Sequence, residues 1–415
     1  MGRASGGNGL PGRRFTRRQA LGLLGGGLGG VLAGGLMSGC VPAADASVTI
    51  PLARPERPVR WPVRPADTIP SGLEPERGAT LQIYNWVAYI NQSVVDNFCK
   101  RYGCRAQVTT FATMSDALSK LQAGDLHFDV FFPTLDVIGP LVMGGLIRPL
   151  NHSYIPNITS AWREFEDPFY DLGWHYTVPY TIYTTGVAWR RDLVDEDPYR
   201  MADGWSMLWN PKYRGKVAIL DDYREAISLG LLKLGLTDLN TTSEARIAAS
   251  LHQLKRLQSL VDVVIDNNDY SEVPDAQTWI HHAWSGDMAS SWQYLPKGQS
   301  VDTLGYWFPT SGRGPVTNDA VTVLRSGRNP VLAHLFLNYL LDERVALENI
   351  SYTGYAQPIK GITSATLVKE KLIPPSLAST TVPRSYFHRG LRELELPPRA
   401  DEKWELAWTE FGGGL

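Results

Sequence analysis

"LQIYNWVAYINQSVVDNFCKRYGCRAQVTTFATMSDALSKLQAGDLHFDVFFP", Leu81 to Pro133, decides the fold. Leu81, Ile83 and Asn85 alternate with their neighbours up to Trp86, which predicts a strand. "SVVDNFCKRYG" then places Val94, Val95, Phe98, Cys99 and Tyr102 on one helical face and stops at Gly103. "AQVTTF" reads as a second strand, "SDALSKLQAG" as a helix capped by Ser115 and ended by Gly124, and "FDVFFP" as a third, buried strand. Strands alternating with helices in this way build a parallel sheet through right-handed crossovers. Ligands of such sheets gather beyond the carboxyl ends of the strands. Trp86 and Tyr89 follow the first strand and Thr134 and Asp136 follow the third, so both pairs converge on one edge.

Upstream of this unit the chain changes character. Residues 1–40 begin basic, become a Gly-rich apolar run and end in small residues before Cys40, the pattern of an export signal. Arg17 and Arg18 in "TRRQALG" resemble a twin-arginine signal, and "LMSGC" resembles a lipoprotein processing box that lipidates Cys40. Met37 stands where that box usually has Leu, and a cleaved signal without lipid or an uncleaved anchor is the alternative. Each version puts the mature protein outside the cytoplasm. Residues 41–78 are rich in Pro and read as an extended tether or a surface strap. Cys99 and Cys104 either form a disulfide in that oxidising compartment or stay as half-buried thiols, and no zinc-ligand set accompanies them.

Downstream, "VPYTIYTTGVAWRRDLV" leaves the first unit as another strand. "GKVAILDD", "AISLGLLKLG", "ASLHQLKRLQSLV" and "DMASSWQYL" alternate strands and helices again, and "GPVTNDAVTVL" followed by a long amphipathic helix returns. A chain that starts one α/β unit, builds a second and comes back makes two lobes with crossing strands as hinges. The 415 residues exceed one ordinary core and fit that reading. A formal charge of −2 gives no reason to expect nucleic acid as a partner.

Asp221, Asp222 and Glu225 stand at a strand-to-helix junction. Asp222 with Glu225 has the spacing of a capping box, and the same two carboxylates at a strand end suit a cation. Trp292 reads as the residue after a short strand, and Asp319 either as a turn residue or as a further carboxylate of the site. His281 and His282 read as adjacent, diverging side chains on a helix, which disfavours a metal. No nucleophile elbow, phosphate loop or histidine-zinc motif is present, and no cofactor is expected.

"LQIYNWVAYI", "FDVFFPT", "VPYTIYTTGVAW", "GWSMLWNPKYRGKVAILDDYREAISLGLLKLG", "GDMASSWQY", "NDAVTVL" and "TGYAQP" together resemble the periplasmic substrate-binding proteins of spermidine/putrescine ABC transporters. The resemblance covers residues 80–360 and implies an α/β, two-lobed periplasmic-binding-protein-like fold of type II, with parallel-type sheets. It divides the mature chain into residues 79–183 with 318–363 as one lobe and 184–317 with 364–415 as the other. It also implies a ligand cleft lined by Trp86, Tyr89 and Thr134, with Asp222 and Glu225 against ammonium groups, Trp292 on the methylene chain, Asp319 on another amine and Tyr355 at the wall. His388 is aligned loosely with a family Gln. Val87 and Ala88 depart from the family's hydroxyl residue and Glu, Asp136 from an aromatic and Thr317 from a stacking Trp. The expected partners are a polyamine-like cation, a membrane permease with its ATPase and, through Cys40, the membrane, with the protein a monomer. Rival expectations are an iron complex or aminophosphonate in the same fold, and a hydrolase using Asp222 and Asp319.

Overall fold

The structure is a computed structural model that describes residues 50–124 and 127–412. Arg17, Arg18 and Cys40 lie outside the described residues. β1 (Thr80–Trp86) and β2 (Arg105–Phe111) flank the helix Gln92–Tyr102. Asn91 opens that helix by accepting the Ser93 N–H, its buried face carries Val94, Val95 and Phe98, and Gly103 closes it at φ 64°. That left-handed backbone is what makes Gly the terminator. The next helix, Met114–Ala123, is capped by Thr113 and not by Ser115: the extended Thr113 reaches the Asp116 N–H, leaving Ser115 in the first turn.

β3 (Val130–Phe131), β4 (Val178–Arg190), β5 (Val217–Ile219), β6 (Val264–Ile265), β7 (Ile280–Trp284), β8 (Leu304–Trp307) and β9 (Val316–Val323) complete the sheet. Its order is β2-β1-β3-β9-β4-β7-β5-β6, with β8 also on β4. β2, β1 and β3 run parallel, as do β6, β5 and β7, which the helical crossovers dictate. β4 and β9 are antiparallel to their neighbours, because they pass between the two halves without a helical return.

β4 belongs to both halves. Its first part, from Val178 to Thr184, pairs with β9, and Thr185 onward pairs with β7. Every residue of this strand is buried, including the polar Thr181, Thr184 and Thr185. One core lies against the helices over β1, β3 and β9 and includes Phe98, Phe132 and Phe336. Tyr84, Phe111 and Phe131 fill the opposite face, and a separate core around Trp205, Leu229, Leu254 and Trp404 serves the second half.

Two sequence readings are corrected. "WIHHAW" contains strand β7 and not a helix, since a central strand buried on both faces carries no alternation to read. "DMASS" is correspondingly helical (Ser285–Ser290), which places Trp284 at the strand end and moves Trp292 into a following turn.

Residues 50–78 pack along the body. Trp61 is 2% exposed and its Nε1–H donates to the Tyr170 carbonyl. Val59 exchanges backbone hydrogen bonds with Phe169 and Leu172, and Arg325 grips Asp67 with both Nη atoms. Arg54 reaches across to the Glu395 carbonyl. Trp61→Ala is therefore expected to cost about 3–5 kcal/mol, the range for emptying a buried aromatic site. Urea unfolding checks this; an unchanged midpoint would mean that the segment is a loose tether.

Candidate functional site

The turn after β1 sets the first acidic centre. Ala88 adopts φ 55°, leaving Val87 58% exposed and turning Tyr89 inward. The Tyr89 hydroxyl donates to Asp319 Oδ2 at 2.7 Å and lies 2.5 Å from Thr181 Oγ1. Tyr183 donates to Asp319 Oδ1 at 3.3 Å. Tyr355 stands edge-on to both phenols, with ring centroids 4.8 Å from Tyr89 and 5.4 Å from Tyr183. Tyr355 rests on Gly286, where any Cβ would run into its ring, so only Gly allows the approach. Asp319 is not a turn residue but a buried member of β9, opposite Thr181. Burial pushes its carboxyl up to about 7, against the lowering effect of the two phenols.

The second centre forms where β4 meets β7. Asp222 caps the helix Tyr223–Lys233 by accepting the Arg224 and Glu225 N–H groups at 2.8 and 3.1 Å. Glu225 does not complete a capping box. Its Oε1 accepts from Thr185 Oγ1 at 2.8 Å and Trp284 Nε1 at 2.7 Å, two residues paired across β4 and β7. Its Oε2 is buried without a hydrogen-bond partner. Burial, then the charges of Glu393 and Asp222, hold the Glu225 carboxyl well above the usual range. Burial also raises Glu393, to about 7, and raises Asp222, where the charge of Asp136 adds to the effect.

The two centres share one strand face. Thr181, Tyr183 and Thr185 alternate along β4, the first two facing Asp319 and the last bonding Glu225. That spacing separates the centres by roughly 13 Å at about 3.3 Å per residue. Tyr183 lies between them, its phenol raised by burial and then by Asp319, Glu225, Glu393 and Asp222. Asp136 extends its charge to both centres. Among the described residues, no ion pair includes Asp136, Asp222, Glu225, Asp319 or Glu393. Arg224 is committed elsewhere, donating to the Leu394 and Leu239 carbonyls and lying 4.9 Å over the Trp404 ring.

Of the other expected site residues, Trp86 is half-buried at the end of β1 and donates from Nε1 to the Phe132 carbonyl. Thr134 and Asp136 follow β3, both partly exposed. Trp292 packs beside the first core, and it is Trp284 that bonds Glu225. Thr317 lies opposite Tyr183 in the β4–β9 register, so the phenol supplies aromatic surface where the expected Trp is missing. His388 pairs with Glu164 at 2.8 Å. Glu393 and Tyr183 carried no signal of their own: one lies in a segment with weak resemblance and the other inside a strand whose neighbouring threonines and aromatics do not single it out.

Asp269 and Asp287 form a further buried carboxyl pair near Tyr355, with Asp287 raised by burial to about 6. Among the described residues no group of His, Cys, Asp or Glu could hold a metal ion, and no helix is long and apolar enough to cross a membrane. His281 and His282 are buried in β7, and burial lowers His282 to about 3. Surface cavities of about 540 and 660 Å³, one beside Gln82 and Gln107 and one beside Phe169 and Arg392, do not include the interlobe carboxylates.

Fold and site together define a two-lobed α/β solute-binding protein of type II. The chain belongs to the bacterial extracellular solute-binding protein family, whose sequence profile matches residues 128–371. It is 25% identical over 301 residues to the spermidine/putrescine-binding periplasmic protein of Escherichia coli strain K12, covering 72% of this chain and 81% of that one. It is also 25% identical over 289 residues to the putrescine/cadaverine-binding protein of Pseudomonas aeruginosa, covering 67% and 79%. The Tp0655 (TpPotD) lipoprotein of Treponema pallidum shares the fold at a TM-score of 0.67 and 20% identity, covering 80% of this chain and 99% of that one.

A carboxyl raised by folding binds its proton more tightly in the native state, so its stabilising effect is complete below the unfolded value near 4 and disappears as pH rises through the folded one. For Asp319 that window ends at about 7. Asp319→Asn should therefore gain stability relative to the wild-type protein as pH is raised from about 5 to 8. Paired thermal melts across that range check it; a pH-independent difference would contradict the burial argument.

Proposed function

We propose that this chain is an exported binding protein that captures a polyamine-class organic cation between its lobes and delivers it to an ABC permease and its ATPase. The observation that carries this reading is the set of interlobe carboxylates that form no ion pair among the described residues, arranged as two centres along a tyrosine-bearing strand face. A polyamine alternates ammonium charges with methylene stretches and matches such a site. Each buried carboxylate needs a cation, because an uncompensated buried charge costs several kcal/mol. Each aromatic face adds about 0.5–2 kcal/mol when a cation sits against it.

In this reading Asp319 takes one ammonium, Asp222 and Glu225 take another, and Asp136 strengthens the field on both. Trp86, Tyr89, Thr134, Tyr183, Trp284 and Tyr355 form the walls. The lobes are residues 79–183 with 318–363 and 184–317 with 364–415, and the crossing strands flex between them. Export by way of Arg17 and Arg18, lipid attachment at Cys40 and a monomeric state complete the proposal. The permease reads the closed form. Cys99 and Cys104 are free thiols side by side, and their joining in an oxidising compartment would close a short loop worth about 2 kcal/mol.

Thermal shift with spermidine, putrescine, ferric citrate and an aminophosphonate at millimolar concentration tests the ligand class. A micromolar cation should stabilise the fold by about 4 kcal/mol. No shift with either amine, or a larger one with an anion, would sink the assignment. Asp319→Asn should weaken amine binding by about 2 kcal/mol or more, at least about thirtyfold. The variant must melt cooperatively for that loss to count.

A further inference from the structure

The strap ahead of β1 carries a run of positive charge that the interlobe site does not use. Residues 54–64, "RPERPVRWPVR", hold Arg54, Arg57, Arg60 and Arg64 against Glu56 alone, a local charge of +3 in a chain whose total is −2. Val59 and Trp61 are buried against the body, and the Pro62 carbonyl accepts from the Tyr176 hydroxyl, so one side of the strap is fixed. Arg57, Arg60 and Arg64 stand exposed on the other. Arg54 is committed to the Ala53 and Glu395 carbonyls, but among the described residues none of the three exposed arginines forms an ion pair. The ridge continues over the first half. Arg60 Nη1 lies 3.3 Å from His175 Nε2, and Arg148 donates to the Asp67 carbonyl while Arg325 holds the Asp67 carboxylate. Asp167, the carboxylate acting on His175, accepts the Gly173 N–H at 2.7 Å.

We propose that this arginine ridge is a docking surface for anionic phospholipid headgroups, which lays the protein on the membrane by its strap side. The inference goes beyond the cation-binding reading and rests only on its export part. Nine residues, 41–49, separate Cys40 from Ile50, at most about 35 Å of extended chain. A lipid on Cys40 therefore keeps the strap within reach of the membrane surface. Pro55, Pro58, Pro62 and Pro65 stiffen the segment, so the arginines are presented with little backbone freedom left to lose. At about 3 Å per residue an extended backbone spaces them roughly 9–12 Å apart. Guanidinium groups bond phosphate oxygens in pairs, and a headgroup layer offers phosphate all along such a ridge. An acidic protein surface, in contrast, must bring carboxylates into register with each arginine. Near an anionic bilayer each arginine is worth about fivefold in affinity.

Vesicle co-sedimentation of the processed chain, residues 41–415 without lipid, tests this; that chain keeps all three hydrophobic cores. The probes are vesicles of phosphatidylcholine alone and vesicles with about one-third phosphatidylglycerol. The anionic vesicles should bind at least about tenfold more tightly, and raising NaCl from about 50 to about 300 mM should release the protein. The triple variant Arg57→Gln, Arg60→Gln, Arg64→Gln should bind about a hundredfold more weakly. The triple variant Arg200→Gln, Arg256→Gln, Lys297→Gln removes exposed cations of the second half and should bind as the wild type does. If the first triple melts early, Arg57→Gln and Arg64→Gln carry the test singly, each costing about fivefold. Equal binding to both kinds of vesicle, full binding by the ridge variants, or equal loss in the two triples would overturn the proposal. Intact vesicle binding by the ridge triple together with weaker stimulation of the permease ATPase would also overturn it, and would assign the ridge to the permease. Lipid on Cys40 is read separately, from the mass of protein extracted from membranes, so failure of the anchor and failure of the ridge are told apart.

Discussion

Negative charge held out of water at the crossing between the two halves is the constraint on which this structure turns. Asp319 and Glu225 are 3% and 6% exposed, and no lysine or arginine among the described residues forms an ion pair with either. Such charges destabilise a fold unless hydrogen bonds or protons compensate them. Here the compensation comes from neutral donors, namely two tyrosine hydroxyls at Asp319, a threonine and a tryptophan at Glu225, and two backbone amides at Asp222. Neutral donors hold the carboxyl groups in place without a fixed positive partner, and a raised affinity for protons supplies the rest of the compensation. In the proposed reading, an entering cation completes that compensation.

β4 is the element that makes this arrangement possible. One strand pairs with β9 over its first half and with β7 over its second, so residues two apart on one face serve different lobes. Thr181 and Tyr183 position Asp319, and Thr185 positions Glu225. Bending at the crossing would change the distance between the acidic centres directly. In the proposed reading, ligand capture and lobe closure would be coupled through this single strand, because a cation that satisfies both centres favours one arrangement over others.

Much of this was legible in the sequence, for identifiable reasons. The β1 to β3 unit showed because its helices are amphipathic and end in glycines, and because the residues after its strands are aromatic or polar. Asp222 and Glu225 showed by position at a strand end, although spacing alone left the capping role open; Asp222 does cap the helix, and Glu225 turns to Thr185 and Trp284 instead. Trp284 was missed because β7 is buried on both faces and offers no alternation, which moved attention eight residues on to Trp292. Glu393 was missed because it reaches the site from the far end of the chain, packing against the helix Tyr223–Lys233 through tertiary contact alone. The packing of Trp61 was hidden by prolines that read equally as a tether.

The most direct measurement of the central claim is calorimetric binding of a matched series on the wild-type protein: 1,4-diaminobutane, 1-aminobutane and 1,4-butanediol. These share a four-carbon chain and differ in charge. If uncompensated carboxylates at two centres are what the cleft offers, the diamine binds far more tightly than the monoamine, and the diol shows no binding. A diol or monoamine bound as tightly as the diamine would contradict the account.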